Sequence, residues 1–248
     1  MTTVTPRHTI GILYPGYSAE DDYLTGQQLL GPDVTVALVH TEMRVDAHRE
    51  DALLDIGADK ILAAGAAQLR GIDSIIWACT SGSFVFGWEG AQRQVAALRR
   101  IAGVPASSTS FAFTDAARAL GVRRVAVAAT YPGGVAERFV EFLARAGVVV
   151  VRLSSRGIFT AAEVGTLDRE DVLDFAEAND HPHADAVLLP DTALHTVAWL
   201  DELEARVAKP VLTANQVSLW QGLRLAGQQP VRHGLGTLFR VPVPQEVG

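Results

Sequence analysis

Short apolar runs rich in Val, Ile and Leu alternate with amphipathic stretches along the whole chain. Runs of this length with β-branched residues predict strands over residues 9–14, 34–39, 74–78, 124–129, 148–153, 186–189 and 210–213. The stretches between them carry apolar residues at helical spacing and predict helices such as 49–69, 90–101, 134–146 and 197–207. Strands apolar on both faces, regularly separated by helices, predict an α/β fold whose parallel sheet is covered on both sides.

The pattern is written twice. Asp73-Ser-Ile-Ile-Trp-Ala-Cys79-Thr80 matches Asp185-Ala-Val-Leu-Leu-Pro-Asp191-Thr192 in step. Downstream, Val104-Pro105-Ala-Ser-Ser-Thr109 mirrors Lys209-Pro210-Val-Leu-Thr-Ala214; upstream, Thr9-Ile-Gly-Ile-Leu-Tyr-Pro15-Gly16 mirrors Val125-Ala-Val-Ala-Ala-Thr-Tyr131-Pro132-Gly133. Matched landmarks in one order predict two pseudo-symmetric Rossmann-like halves, against the alternative of coincidence among similar strand ends. The expected division is residues 1–115, carrying Cys79, and 116–248, carrying Asp191, with about 216–248 packing back on the first half.

Composition narrows the picture. The chain has 248 residues, 48% hydrophobic and 20% charged, enough apolar material for a large core. Its net charge of -7 and the lack of Lys/Arg-rich runs argue against a nucleic-acid partner. No apolar run spans a bilayer, and the polar start lacks a secretory h-region, so a cytoplasmic protein is expected. One cysteine can form neither an internal disulfide nor a Cys-rich metal site. No metal-ligand cluster and no glycine phosphate loop stand out: Gly234-Leu-Gly236 lacks the third glycine, and Glu20, Asp21 and Asp22 read as acids at the helix start marked by Ser18.

Ligands of open parallel sheets bind beyond the carboxyl ends of the strands. Those ends carry Tyr14-Pro15-Gly16, Cys79-Thr80-Ser81-Gly82-Ser83, Tyr131-Pro132-Gly133 and Asp191-Thr192. If the halves face each other, Cys79 and Asp191 approach one cavity from opposite sides. Hydroxyls and amides after Cys79 suit a carboxylate, and a helix start there would lower the thiol pKa. The competing reading of Cys79 is a buried, inert thiol; that of Asp191 is a helix N-cap. His195, one helical turn on, is placed to pair with Asp191 or simply to be half-buried. Trp77, Phe84, Phe86 and Trp88 read as core, or in part as an apolar wall beside Cys79. The charged segment Thr41-Glu-Met-Arg44, if it borders the site, argues against an apolar pocket.

The chain resembles the aspartate/glutamate racemase superfamily, in the branch of maleate cis-trans isomerases and arylmalonate decarboxylases. The residues that carry the likeness are Gly11-Ile-Leu-Tyr-Pro15, Cys79-Thr-Ser-Gly-Ser-Phe84, Gly121-Val-Arg-Arg-Val-Ala-Val-Ala-Ala-Thr-Tyr131, Glu137-Arg138, Phe142-Leu143, Arg224-Leu-Ala-Gly227 and Gly236-Thr-Leu-Phe239. The resemblance implies two Rossmann-like halves, no cofactor, no metal, and a small carboxylic-acid substrate held by Thr80, Ser81 and Tyr131, with Pro15 at the pocket wall; Thr192, at the strand end beside Asp191, is expected to join them. A homo-oligomer is compatible with it. Many members carry a cysteine in each half; here the second place holds Asp191. Arylmalonate decarboxylases resemble the reverse case, with glycine first and cysteine second, and the asparagine usual in maleate isomerases after the first-strand proline is missing. The expected activity is therefore an isomerase or racemase-like reaction next to a carboxylate, with Cys79 as nucleophile or acid–base group and Asp191 opposite. The alternatives are arylmalonate-type decarboxylation through an enediolate, and a non-catalytic carboxylate binder.

Overall fold

The computed structural model describes residues 8–242. The first half runs β1 (His8–Pro15), α1 (Asp21–Leu30), β2 (Val34–Thr41), α2 (Glu50–Ile56), α3 (Asp59–Ala66), β3 (Ser74–Trp77), α4 (Ser81–Phe84), α5 (Gly87–Ala102), β4 (Ala106–Ser108) and α6 (Thr109–Ala119). The second repeats the plan with β5 (Arg124–Ala129), α7 (Gly133–Arg145), β6 (Val149–Ser155), α8 (Ala161–Val164), α9 (Arg169–Ala178), β7 (Ala186–Leu189), α10 (Leu200–Val207), β8 (Val211–Thr213) and α11 (Ala214–Leu225). The sheets order β2-β1-β3-β4 and β6-β5-β7-β8, every pairing parallel. The halves are thus pseudo-symmetric, and the repeat has a chemical signature. Asp73 accepts from the Thr9 amide at 2.8 Å, and its counterpart Asp185 accepts from the Arg124 amide at 2.9 Å. Each aspartate fastens the start of its half's first strand.

β1, β3, β5 and β7 are central in their sheets, and β3 and β7 are buried along their whole length. Covering both faces of such strands favours apolar side chains, hence their nearly continuous apolar runs, with Ser74 admitted because its hydroxyl is paired. α11 lies against β1, β3 and β4 of the first half and pairs with α6. Gly222 permits that approach: a Cβ there would stand 2.4 Å from the Ile10 side chain. Its carbonyl accepts from the Ser74 hydroxyl at 2.8 Å. Thr109 and Ser218 share a 2.7 Å hydroxyl bond across the α6–α11 contact.

Three local expectations change. The helix expected over 49–69 is two helices, broken at Gly57–Ala58. The helix expected from 197 opens as a 3-10 turn at Val197–Trp199. The first turn of α1 does carry Asp21 and Asp22, but Asp22 is buried. It accepts from the amides of Thr196 (2.9 Å) and Val197 (3.2 Å) and from Asn215 (3.0 Å), tying α1 to the second half. Helix-start acids are usually solvated; this one is a cross-half anchor, which local pattern does not reveal.

Candidate active site

Register brings Leu13 level with Trp77, so the chain leaves β1 and β3 side by side. Pro15 and Cys79 therefore reach one rim. In the second half, Pro190 and Asp191 follow β7, and Thr130 and Tyr131 follow β5. The two rims meet around one cavity of about 30 Å³. Its polar wall is made by Tyr14, Ser18, Cys79, Ser81, Asp191 and Thr192, with Pro15 beside them. Its apolar wall is Met43, Val45, Ala47, Leu53 and Ile56; Asp46 and His48 complete it. Glu42 and Arg44 point away, paired with each other, so the charged segment does not make the pocket polar.

Cys79 is buried, its Sγ accepting from the Gly82 amide at 3.3 Å and lying 3.8 Å from Ser81 Oγ. Burial pushes the thiol up to about 12, against the pull of the Gly82 amide and Ser81 hydroxyl; Asp191 adds to the rise. This corrects the lowered pKa expected from a helix start. α4 is a single turn, and desolvation outweighs its few amides. Gln94 holds the turn from behind, donating to the carbonyls of Gly57 (2.7 Å) and Gly82 (3.0 Å).

Asp191 is buried as well, and it caps no helix: the chain makes a turn, and Oδ1 accepts from the Ala193 amide two residues on at 2.9 Å. Oδ2 accepts from the Thr130 hydroxyl and stands 3.9 Å from His48 Nε2. His195, with no helix to carry it back toward Asp191, pairs with Asp21 at 3.2 Å instead and does not line the cavity.

The hydroxyls expected to hold a carboxylate fall into two groups. Ser81 and Thr192 line the cavity, as does Pro15. Tyr131 lies one layer behind: its hydroxyl donates to the Pro190 carbonyl at 2.6 Å, and its ring takes an edge contact with His48. Burial first, then Asp191 and Cys79, raise its pKa well above the usual phenol value, while the hydroxyls of Thr80 and Ser81 oppose the rise. Thr80 Oγ1 is buried without a hydrogen-bond partner. Ser83 bonds Ser108 at 2.8 Å and belongs to the core. Trp77 and Phe84 are core too.

Two polar residues of the site, Asp46 and His48, sit in a loop without motif that the sequence pattern does not point to, whereas Tyr14 and Ser18 belong to the first of the expected ligand-bearing strand ends. Tyr14 OH donates to the Thr192 carbonyl at 3.0 Å and takes the Ala19 amide at 3.0 Å. Among the described residues, no group of three or more His, Cys, Asp or Glu side chains is placed to hold a metal ion. Nor, among them, is any helix long and apolar enough to cross a membrane.

A thiol from one half facing a carboxylate from the other, at the carboxyl ends of two like parallel sheets, defines a pseudo-symmetric α/β protein of the aspartate/glutamate racemase-like class. Within that class the chain belongs to the arylmalonate decarboxylase family, whose model matches residues 47–239. It is 34% identical over 163 residues to arylmalonate decarboxylase from Bordetella bronchiseptica, covering 64% of this chain and 68% of that protein. It is 24% identical over 143 residues to maleate isomerase from Alcaligenes faecalis, covering 57% and 56%. Among solved structures, a liganded double mutant of arylmalonate decarboxylase, one glycine changed to cysteine and one cysteine to serine, superposes with a TM-score of 0.82 at 27% identity, covering 94% of this chain and 99% of that one. A cysteine-to-serine mutant of Nocardia farcinica maleate cis-trans isomerase, with a covalently bound succinylcysteine intermediate, shares the fold at a TM-score of 0.83 and 22% identity, covering 94% and 98%. The chain is an enzyme of this family.

Proposed function

We propose that the enzyme forms and re-protonates an enediolate at the carbon next to a carboxylate of a small mono- or dicarboxylic acid. The observation that carries this is the placing of Cys79 and Asp191, from corresponding strand ends, on one cavity. The Ser81 hydroxyl on the cavity wall, with Thr80 and Tyr131 behind it, and Thr192 from the second half support a carboxylate there. In the isomerase or racemase-like reaction, a base on the Asp191 side removes the proton from carbon. The electron pair moves into the carboxylate, and the Cys79 S–H gives its proton to the opposite face.

The second reading is arylmalonate-type decarboxylation, favoured by the apolar wall of Met43, Val45, Leu53 and Ile56. A carboxylate moved from water to such a wall is destabilised. The C–C bond breaks, carbon dioxide leaves, the electron pair stays as the enediolate, and Cys79 protonates the carbon. Both readings use a neutral thiol, the form that burial favours. Division into two halves, a cytoplasmic setting, and work without cofactor or nucleic acid complete the proposal.

Incubation with maleate, aryl-substituted malonates and single enantiomers of 2-aryl acids in deuterated water separates the reactions. Carbon dioxide release marks decarboxylation, and deuterium wash-in or isomer change without it marks isomerisation or racemisation. Absence of both across the panel refutes the proposal.

A further inference from the structure

We propose that the His48 imidazole, braced by Asp191, is the acid–base group on the face of the cavity opposite Cys79. The inference rests on the enediolate reading and names which residue works from the second side.

Asp191 is the first candidate for that role, but each of its oxygens already accepts a hydrogen bond from the second half, and His48 lies beside it on the cavity wall. Oδ1 takes the Ala193 amide at 2.9 Å, and Oδ2 takes the Thr130 hydroxyl. These bonds orient the carboxylate toward His48. His48 itself is buried on the loop between β2 and α2 and lines the cavity. Its Nδ1 lies 2.9 Å from the Ile158 carbonyl oxygen. A carbonyl can only accept, so Nδ1 carries the hydrogen and the tautomer is fixed. Nε2 is then the nitrogen with the lone pair, and it stands 3.9 Å from Asp191 Oδ2. A proton taken up on Nε2 would therefore face the Asp191 carboxylate across that gap. The backbone amide of His48 donates to Phe159 O at 2.6 Å, and the ring edge meets Tyr131 with centroids 4.9 Å apart, so the imidazole is held from three sides.

The step balances. His48 Nε2 takes the proton from the substrate carbon, and the C–H electron pair becomes part of the enediolate. Cys79 S–H then donates its proton to the other face. The products are the inverted acid, an imidazolium beside Asp191 and a thiolate beside the Gly82 amide. The reverse turnover, starting from the inverted acid, restores both groups.

His48→Asn tests this with little disturbance, because the asparagine amide reproduces Nδ1–H toward the Ile158 carbonyl while Nε2 is lost. The probes are the two enantiomers of 2-phenylpropanoate in deuterated water, with exchange at the substrate carbon followed by proton NMR. Wild-type exchange that falls about 100-fold or more for one enantiomer in His48→Asn, and much less for the other, is expected, on the scale of a lost general base. Cys79→Ser is expected to show the opposite preference. A nitrogen-15 spectrum of the wild-type ring is expected to show Nδ1 protonated, and His48→Gln, which keeps an amide near the Nε2 position, is expected to fail as His48→Asn does. Equal loss for both enantiomers, or none, in His48→Asn assigns His48 a merely structural role and overturns the inference while leaving the enediolate reading standing. A wild-type protein that exchanges neither enantiomer and decarboxylates no arylmalonate overturns both.

Discussion

A thiol serves as an acid at neutral pH only if it keeps its proton, and the surroundings of Cys79 see to that. Desolvation, the largest influence, raises it from 9.0 to about 12, and the amide of Gly82 and hydroxyl of Ser81 only partly resist. Iodoacetamide should therefore modify Cys79 slowly near neutral pH, with the rate climbing only well above the range of a free thiol. Fast alkylation at neutral pH would show instead that the pocket makes a thiolate. The same shift links to stability. A raised pKa in the folded protein gives stability that is complete below about pH 9 and lost as pH rises through 9 toward 12. Urea unfolding of wild type and Cys79→Ala should show the gap between them narrowing across that window. The buried tyrosines 14, 23 and 131 shift in the same direction in both proteins; Cys79 adds to the rise of Tyr23 and Tyr131, so the difference reports the thiol together with its influence on those two rings.

At the scale of elements, the break between α2 and α3 positions the cysteine. A continuous helix over 49–69 would satisfy the apolar periodicity, yet the chain stops at Gly57 because the backbone there presses on the turn after β3. A Cβ on Gly57 would lie 2.3 Å from the Gly82 carbonyl oxygen, 2.7 Å from the Phe86 ring and 2.9 Å from Gln94. Its φ of -87° is ordinary, so close approach rather than backbone conformation requires the glycine. Gly57→Ala should push on the Gly82 carbonyl, disturb the Gln94 bridge and move Cys79. The expected cost is about 1–3 kcal/mol of unfolding free energy, with activity falling further than stability explains. An unfolding midpoint and turnover both equal to wild type would show that the turn after β3 can slide.

On the scale of the whole molecule, the site is tight. Its cavity of about 30 Å³ has room for a few water molecules and not for a carboxylic acid bearing a ring or a second carboxylate. The segment 43–48, which forms its apolar wall, must lift for a substrate to enter. Two fastenings hold it across the halves. Asp46 accepts from the Ala161 and Ala162 amides at 2.7 and 3.0 Å, and His48 bonds the Ile158 and Phe159 carbonyls. Val45 within this strap (48%) and Phe159 beside it (63%) are partly exposed apolar side chains. Asp46→Ala should accelerate hydrogen exchange at Ala161 and Ala162 and along 43–48, while amides of β1, β3, β5 and β7 keep their protection. Uniform loss of protection would mean the strap holds the fold together rather than gating the cavity.

The sequence by itself determined seven of the eight described strands, their parallel arrangement and the doubling of the chain, because burial on both faces and strand–helix alternation are written in neighbouring residues; the short β4, Ala-Ser-Ser, carries no apolar run to mark it. Asp73 and Asp185, or Cys79 and Asp191, could be matched because the repeat fixes equivalent strand ends. Even the halves' rims were legible, since loops after β-strands carry the ligand groups of this architecture. What only the tertiary structure decided depends on partners distant in the chain. His48 meets Ile158 and Asp191 through a crossing of halves that no local spacing announces. Tyr131 spends its hydroxyl on Pro190, His195 turns to Asp21, and Asp22 goes inward to Thr196 and Asn215. The sign of the Cys79 shift was set the same way. A helix start predicts a lower value from sequence, but how completely a thiol is sealed from water is a property of everything packed around it, and here desolvation is the larger effect.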